Sequence, residues 1–189
     1  MEQKVLYFAS GANREKKMME WITGNPNLKG TPAVLEGYGL YVQRLEQVPD
    51  TVSPGSPINL SPREILKRAG WNEGFTTYMI KPRVGGRVTG TLWELSREER
   101  ELVRDWEMVE LGWYKDLRVK VKTLDGREVE VETEGWREGQ EVDHEVNDEN
   151  HPSYLNNPED FRRIAKKSRK EYLERTVPAR KEFSLRTKE

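Results

Sequence analysis

The sequence predicts an α+β fold, in which strands and helices follow one another without an internal repeat. Residues 5–8 are apolar and rich in β-formers, and a glycine-bearing loop leads from them into a helix-favouring segment at 14–21. Two capping boxes, Ser61-Pro62-Arg63-Glu64 and Ser96-Arg97-Glu98-Glu99, predict the starts of two further helices. Apolar and charged residues alternate over 117–122 and 128–132, which predicts a β-hairpin.

The charge balance and the lack of cysteine limit the functions that this sequence can support. Among 189 residues, 32 Lys and Arg nearly cancel 33 Asp and Glu, so no global field would attract nucleic acid or an anionic membrane. Without cysteine the chain has no disulfide, no thiolate nucleophile and no Cys-based metal site. The sequence shows no signal peptide and no apolar run that would span a membrane. We therefore expect a soluble cytoplasmic protein, either a monomer or a homodimer.

Proline-rich and glycine-rich breaks separate the elements expected in the middle of the chain. A strand is expected at about 38–45, and the proline-rich stretch at 49–57 is interpreted as a surface excursion or a lid. The first capping box opens a helix that ends near Gly70. Strands at 75–83 and 87–94 are expected to form a hairpin at Gly85-Gly86. The second capping box opens a helix that ends near 110–112, with an apolar face formed by Leu102, Val103, Trp106 and Val109.

The register of the hairpin over 117–132 depends on the length of its loop. A two-residue Asp125-Gly126 loop would set Lys122 opposite Val129 and mix the two faces. A three-residue loop that begins at Leu124 sets Lys122 opposite Glu128 and Lys120 opposite Glu130. This register pairs apolar residues with apolar residues and positive charges with negative ones. We therefore predict the three-residue loop, a type I turn with Gly126 in the left-handed conformation of a G1 bulge.

The last part of the chain, residues 137–189, is expected to form an extension that packs on a domain of residues 1–136. It begins with a polar, acidic loop, and a helix follows over about 158–175. Pro178 is expected to end this helix or to stand just beyond its end, and the last ten residues are expected to be loose. The aromatic residues Trp71, Trp93, Trp106, Trp113 and Trp136 are expected in the core or in pocket walls.

Two polar clusters in this extension invite other interpretations. His144 and His151 lie among acidic residues, but their spacing fits no established metal site, and a solvated loop is favoured. The helix has a basic face, which could bind nucleic acid, although the neutral total charge favours a solvated surface. Its members are Arg162, Arg163, Lys166, Lys167, Arg169 and Lys170.

Three segments resemble, in order and spacing, the gamma-glutamylcyclotransferases and their AIG2-like and butirosin-biosynthesis relatives. That family opens with a strand and a Tyr-Gly-Ser-Asn-type loop, similar to Tyr7-Phe8-Ala9-Ser10-Gly11-Ala12-Asn13. A later strand with Val-x-Gly-x-Leu/Val-aromatic is similar to Val88-Thr89-Gly90-Thr91-Leu92-Trp93. A helix ending in Leu-Asp-x-x-Glu-Gly, with a tyrosine and a valine-rich strand after it, is similar to Trp106-Glu107-Met108-Val109-Glu110-Leu111-Gly112-Trp113-Tyr114 and the strand at 117–121. The resemblance covers roughly residues 4–136.

The resemblance implies both a fold and an activity. The fold is a mixed β-sheet, partly closed into a barrel, with helices around it. The activity is that of an acyltransferase or lyase that cyclises a γ-glutamyl amide to 5-oxoproline and releases a free amine, without a metal or cofactor. The resemblance places the catalytic glutamate at Glu110. It places substrate-binding residues at Tyr7, Ala9, Ser10, Gly11, Ala12, Asn13 and Tyr114.

A single carboxylate suits the proton transfers of this reaction. The α-ammonium of the substrate must lose a proton to attack, and the departing amine must gain one, so one group can act as base and then as acid. We expect burial and the like charge of Glu107, interpreted as a solvated partner or a helper, to raise the pKa of Glu110. Backbone N–H groups of residues 10–13 are expected to hold a carboxylate or the developing oxyanion.

Two departures from the family pattern favour a different function. Ala12 stands where a serine or threonine is usual, and Glu134 stands near a position where the family often has tyrosine. A glutamate there would repel a substrate carboxylate. The alternative is therefore a catalytically silent protein that binds small ligands or partners on the same fold. An RNA-associated protein acting through the basic C-terminal helix is a third possibility.

Overall fold

Strands of the chain close into a barrel in the computed structural model, which describes residues 4–71, 74–146 and 158–186. The strands are β1 (Val5–Ala9), β2 (Lys29–Arg44), β3 (Thr76–Leu95), β4 (Lys115–Thr123) and β5 (Glu128–Gly135). Their spatial order is β1-β3-β2-β4-β5. Neighbouring strands are antiparallel except β1 and β5, whose parallel pairing closes the barrel. This mixed sheet with helices around it confirms the α+β class.

The α-helices in the described residues pack on the outside of the barrel. They are α1 (Lys16–Thr23), α2 (Pro62–Arg68), α3 (Arg97–Trp106) and α4 (Pro158–Arg186). The predicted capping boxes are confirmed, because Ser61 and Ser96 each accept a hydrogen bond from the backbone N–H three residues later, at 3.2 and 3.1 Å. The helices α1, α3 and α4 contact one another. None of the helices in the described ranges is long and apolar enough to cross a membrane.

Two of the three apolar clusters in the described residues form the barrel interior and its packing against α1, α3 and α4, and the third includes Leu66 of α2. The first fills the barrel with residues from all of its strands, including Phe8, Leu35, Ile80, Val119 and Val131. The second lies between the outer face of β1 and β3 and the helices, and it includes Tyr7, Met18, Trp93, Val103 and Ala165. Alternate residues of β1 therefore point to opposite sides of the sheet.

The β4–β5 hairpin has the register that the charge pattern predicts. Lys122 pairs with Glu128 and Lys120 with Glu130, so apolar residues face the barrel and charged residues face solvent. Gly126 has a φ of 80°, and its N–H donates to the carbonyl oxygen of Thr123 at 2.9 Å. The predicted three-residue loop with a left-handed glycine is confirmed.

The hairpin predicted at Gly85-Gly86 is wrong. Residues 76–95 form one long strand that pairs antiparallel with β2 on both sides of a register shift between Glu36 and Tyr38. The glycine pair lies at this shift and lets β3 bulge instead of reversing. Continuous pairing places apolar residues of β2 and β3 inside the barrel on both sides of the bulge. For the same reason β2 begins at Lys29, earlier than predicted.

The helices α3 and α4 also differ in length from the predictions. α3 ends at Trp106 instead of near 110–112. α4 continues through Pro178 to Arg186, so neither the predicted stop nor a loose segment at 180–186 is observed. The φ of proline is compatible with a helix. A proline inside a helix removes one backbone hydrogen bond and bends the helix, but the helix can continue beyond it. The remaining predictions for 147–157 and 187–189 lie outside the described residues. The division of the chain into a domain of residues 1–136 and an extension of residues 137–189 stays a prediction.

Candidate functional site

A cavity of about 440 Å³ lies where the loop after β1, the end of α3, α2 and α4 meet. Its polar lining includes Tyr7, Asn13, Glu107, Thr133 and Glu134. The rest of its wall is largely apolar and comes from the stretch after β2, from α2 and the residues following it, and from α4; it includes Ile58, Leu60, Ile65, Leu66, Trp71, Phe75, Phe161 and Ile164. Cavities of this size bind small organic molecules.

The loop after β1 contributes one side of the polar lining. A short 3₁₀ helix, Gly11–Arg14, connects β1 to α1, and Gly11 has a φ of 61°, which glycine adopts without strain. The indole N–H of Trp93 donates to the carbonyl oxygen of Asn13 at 3.0 Å, and the Thr91 hydroxyl donates to that of Arg14 at 2.8 Å. Strand β3 thus fixes the loop, and the first two family-like segments meet here.

Glu107 faces this loop from the end of α3. Its side chain is half-buried and lines the cavity, and Asn13 Nδ2 donates to Glu107 Oε1 at 2.5 Å. Enclosure by the protein and the nearby charge of Glu134 raise the pKa of Glu107 to about 8, while Asn13 and Arg100 act in the opposite direction. A carboxyl group with such a pKa can accept and return a proton near neutral pH.

A buried guanidinium compensates the second carboxylate of the site. Arg100 of α3 is fully buried and donates hydrogen bonds to Glu134 and, at 3.0 Å, to Glu132. Its guanidinium carbon lies 4.8 Å from the centroid of the Tyr7 ring. The Tyr7 hydroxyl lowers the pKa of Glu134 and accepts a hydrogen bond from Asn13 Nδ2 at 3.4 Å. The expected repulsion of a substrate carboxylate by Glu134 is therefore reduced, because Arg100 provides the opposite charge.

Tyr114 and Trp113 form a rigid aromatic side of the site next to Glu107. The Tyr114 hydroxyl donates to the carbonyl oxygen of Tyr78 at 2.9 Å, and the Trp113 indole N–H donates to Gln43 Oε1 at 2.7 Å. Burial, and to a lesser extent the charge of Glu107, raise the pKa of Tyr114. The two rings lie 5.0 Å apart.

The cavity brings together most of the residues predicted to bind substrate. Those that line it are Tyr7, Ser10, Gly11, Ala12, Asn13 and Tyr114. Ala9 is fully buried in the core between the barrel and the helices and does not line the cavity. As the last residue of β1, it packs against helices while the following loop reaches the cavity.

The structure contradicts the expected position of Glu110. Its side chain is 65% exposed, forms an ion pair with Arg104 at 2.7 Å, and does not line the cavity. The prediction that Glu110 is buried beside the first loop is therefore wrong. Because α3 ends at Trp106, the following turn directs residue 107 inwards and residue 110 outwards. Glu107, interpreted from the sequence as a solvated partner, occupies the expected place.

Met108 explains why the sequence did not single out Glu107. The family pattern has glycine directly after glutamate, whereas Leu111 follows Glu110 and Met108 follows Glu107. Met108 directly follows Glu107 and has a φ of 51°, a left-handed conformation that favours glycine. Since the residue that ends α3 is not a glycine, the sequence carries no local signal for this early end.

The sequence patterns did not predict the cavity wall formed by α4 and by the stretch after β2, because these segments lie far from the polar residues in sequence.

Trp71, Trp106 and Trp113 line the cavity and Trp93 is in the core, as the sequence predicts. Within residues 4–71, 74–146 and 158–186, no three His, Asp or Glu side chains are arranged to hold a metal ion. His144 is exposed beside Asp143, and His151 lies outside these ranges.

Two solved structures are similar in fold to this chain. One is a gamma-glutamyl cyclotransferase, with 20% sequence identity, a TM-score of 0.54, and coverage of 74% of this chain and 70% of that chain. The other is an uncharacterized protein from Homo sapiens, with 21% identity, a TM-score of 0.53, and coverage of 75% and 70%. No family model and no curated protein matches the sequence. Likeness at this identity shows the fold and leaves the activity open. The chain has the gamma-glutamyl cyclotransferase-like fold that its sequence resemblance implied.

Proposed function

We propose that the protein is a gamma-glutamylcyclotransferase-like enzyme, which cyclises a γ-glutamyl amide to 5-oxoproline and releases a free amine. The observation that carries this proposal is the Glu107 carboxyl group, which lines a cavity of about 440 Å³, is hydrogen-bonded by Asn13 and has a pKa of about 8. Glu107, and not Glu110, is the proposed catalytic residue. A perturbed carboxyl group in a cavity is a good candidate for acid–base catalysis.

Glu107 would first act as a general base. The ionised carboxylate takes a proton from the α-ammonium of the substrate, and the resulting amine attacks the γ-carbonyl carbon. The α-amino group of a peptide N-terminus has a pKa near 8, and the free α-carboxylate of the substrate raises it further, so this transfer to Glu107 is moderately uphill in free energy. The cavity positions both groups, and the attack is already intramolecular, which removes much of the entropic cost.

Glu107 would then act as a general acid. As the bond between the γ-carbon and the departing nitrogen breaks, Glu107 returns its proton to that nitrogen. The second proton lost by the attacking nitrogen passes through solvent to the released amine, which leaves as an ammonium ion. The reaction is balanced without an oxidant, a reductant or a metal, and we propose that no cofactor is used.

The charges around the cavity support binding of the α-ammonium group. Glu107 and Glu134 are two acidic groups near Arg100, so the polar end of the cavity attracts a cation when Glu107 is ionised. We propose that backbone N–H groups of residues 10–13 hold the α-carboxylate or the developing oxyanion. Tyr7, Ser10, Gly11, Ala12, Asn13 and Tyr114 are the proposed substrate contacts.

One observation favours a catalytically silent binding protein instead. A carboxyl group with a pKa of about 8 is mostly protonated at pH 7, and in this form it donates a hydrogen bond but cannot accept a proton. The loop also has Ala12 in place of the usual hydroxyl residue. A silent protein would use Glu107 to bind a ligand without converting it.

A screen of γ-glutamyl amides for 5-oxoproline release, monitored by mass spectrometry, tests the proposal. Release by the wild-type protein and its loss in Glu107→Gln would support the enzyme. Calorimetric binding of the same compounds without release of 5-oxoproline would support the silent protein.

We also propose a cytoplasmic location, which the proposed small-molecule substrate and the cysteine-free composition support.

A further inference from the structure

The structure points to the group that the substrate carries on its amide nitrogen. We propose that this group is bulky and apolar, aromatic above all, and that an aromatic wall formed by Trp71, Phe75, Trp113 and Phe161 recognises it. This inference rests on the proposed function, because it concerns the part of a γ-glutamyl amide that leaves as the amine.

The four rings of the aromatic wall form a continuous series of contacts. The centroids of Phe161 and Trp71 lie 4.9 Å apart, those of Trp71 and Phe75 5.1 Å, and those of Phe75 and Trp113 6.5 Å. The rings are tilted by 49–58° and all four line the cavity. Such a wall offers a large apolar area with favourable edge-to-face geometry for another ring.

The position of the wall relative to Glu107 sets the orientation of the substrate. Trp113 contacts Tyr114, which lines the cavity together with Glu107. Phe161 belongs to α4 and lies at the other end of the series of rings. The charged glutamyl part needs the polar residues beside Glu107. The substituent beyond the reacting amide must then extend along the rings towards α4.

The size and the charges of the cavity agree with this orientation. A volume of about 440 Å³ lies within the range of about 300–1,000 Å³ typical of pockets for drug-sized ligands, so a glutamyl group would leave much of it unfilled. Lys167 and Glu171 of α4 line the cavity as an ion pair at 3.7 Å. Arg68 of α2 adds a positive charge to this wall, which a carboxylate on the leaving amine would meet alike in every γ-glutamyl dipeptide, so apolar contact and shape distinguish one dipeptide from another.

Binding to Glu107→Gln protein, which is blocked in proton transfer, measures the preference directly. Calorimetry would compare γ-glutamyl-phenylalanine with γ-glutamyl-glycine, which share the glutamyl part. We expect the dissociation constant of the phenylalanine compound to be lower by about tenfold or more, as for burial of a large apolar side chain. Equal affinities, or tighter binding of the glycine compound, would overturn the inference.

Substitutions on α4 test whether the aromatic wall causes the preference. Phe161→Ala is expected to remove most of it by weakening binding of the phenylalanine compound, with little change for the glycine compound. Tyr172→Ala is the matched control, because Tyr172 is an aromatic residue of the same helix that packs on the core and does not line the cavity. If both variants lost the preference for the phenylalanine compound equally, the preference would depend on the packing of α4. That result would contradict recognition by the aromatic wall.

Turnover by the wild-type protein separates this inference from the proposed function. Release of 5-oxoproline from the glycine compound but not from the phenylalanine compound would keep the proposed function and overturn the inference. No release from either compound, together with a tenfold binding preference for phenylalanine, would overturn the enzymatic function and keep the recognition of a bulky apolar group.

Discussion

Two carboxyl groups and one guanidinium set the charge of the polar end of the cavity. Arg100 contacts Glu134 directly, whereas Glu107 is hydrogen-bonded by the neutral amide of Asn13. Glu134 is therefore the better-compensated carboxylate. For Glu107, burial is opposed less strongly, and its pKa rises to about 8. Burial raises the pKa of Glu134 as well, but the contact with Arg100 opposes that shift, whereas Asn13 offers Glu107 no charge.

The pH dependence of catalysis follows from the pKa of Glu107. Below about pH 8 the free enzyme carries Glu107 mainly in its protonated form, which cannot act as the base. We expect kcat/KM to rise by about tenfold per pH unit between pH 6 and 7.5 and then to level off. Initial rates across this range would show it, and a profile that is flat from pH 6 to about 8 would contradict it.

The same group makes stability depend on pH. Between the ordinary pKa of 4.5 and a folded-state pKa of about 8, the folded protein holds a proton that the unfolded chain has released. The group therefore destabilises the folded state increasingly as pH rises, with a slope of up to about 1.4 kcal/mol per pH unit. Glu107→Gln lacks this penalty and keeps an acceptor for Asn13, so it should gain stability over wild type from pH 5 to 8.

Urea unfolding at several pH values measures this gain. Glu110→Gln is the matched control, because its carboxylate is exposed, and its stability should follow that of the wild type. Parallel stability curves for the wild type and Glu107→Gln would show that Glu107 titrates normally in the folded protein.

At the scale of single elements, the hairpin β4–β5 shows how a turn residue is constrained. Gly126 has a φ of 80°, and a Cβ added there would meet nothing within 4 Å. Gly126→Ala should therefore cost about 1 kcal/mol from backbone strain alone. Gly126→Asn should cost less, because asparagine tolerates the left-handed conformation better. Chemical unfolding measures both, and equal stability of alanine variant and wild type would contradict the turn assignment.

Local patterns predicted the elements whose geometry depends on near neighbours. The capping boxes at Ser61 and Ser96 and the register of β4 with β5 depend on residues close in sequence, and these predictions are confirmed. The path of β3 depends on its pairing with β2, which local glycines do not reveal. The end of α3 depends on a left-handed Met108, so the sequence pointed to Glu110 instead of Glu107.

At the scale of the whole molecule, the site lies where parts distant in sequence converge. The loop after β1, the end of α3 and strand β5 supply polar groups, while α2, α4 and the stretch after β2 supply apolar ones. The family-like segments predicted the polar part, because strand pairing brings them together. The apolar part comes partly from α4, which lies outside the region of resemblance.

The contact of Arg100 with Glu134 joins α3 to the barrel, and removing one partner should destabilise the whole fold. Arg100→Met leaves the buried Glu134 uncompensated, with an expected loss of about 3–5 kcal/mol in the free energy of unfolding. The double variant Arg100→Met/Glu134→Gln should be more stable than the sum of the single changes predicts. A double-mutant cycle in urea measures the coupling, and additive losses would contradict it.

The most direct measurement is kcat/KM for 5-oxoproline release in the wild type, Glu107→Gln and Glu110→Gln, on one γ-glutamyl amide and with folding checked by circular dichroism. The account predicts a loss of about 100-fold or more in Glu107→Gln, as for removal of a general acid–base group, and a value close to wild type in Glu110→Gln. Retained activity in Glu107→Gln, with loss in Glu110→Gln, would contradict it.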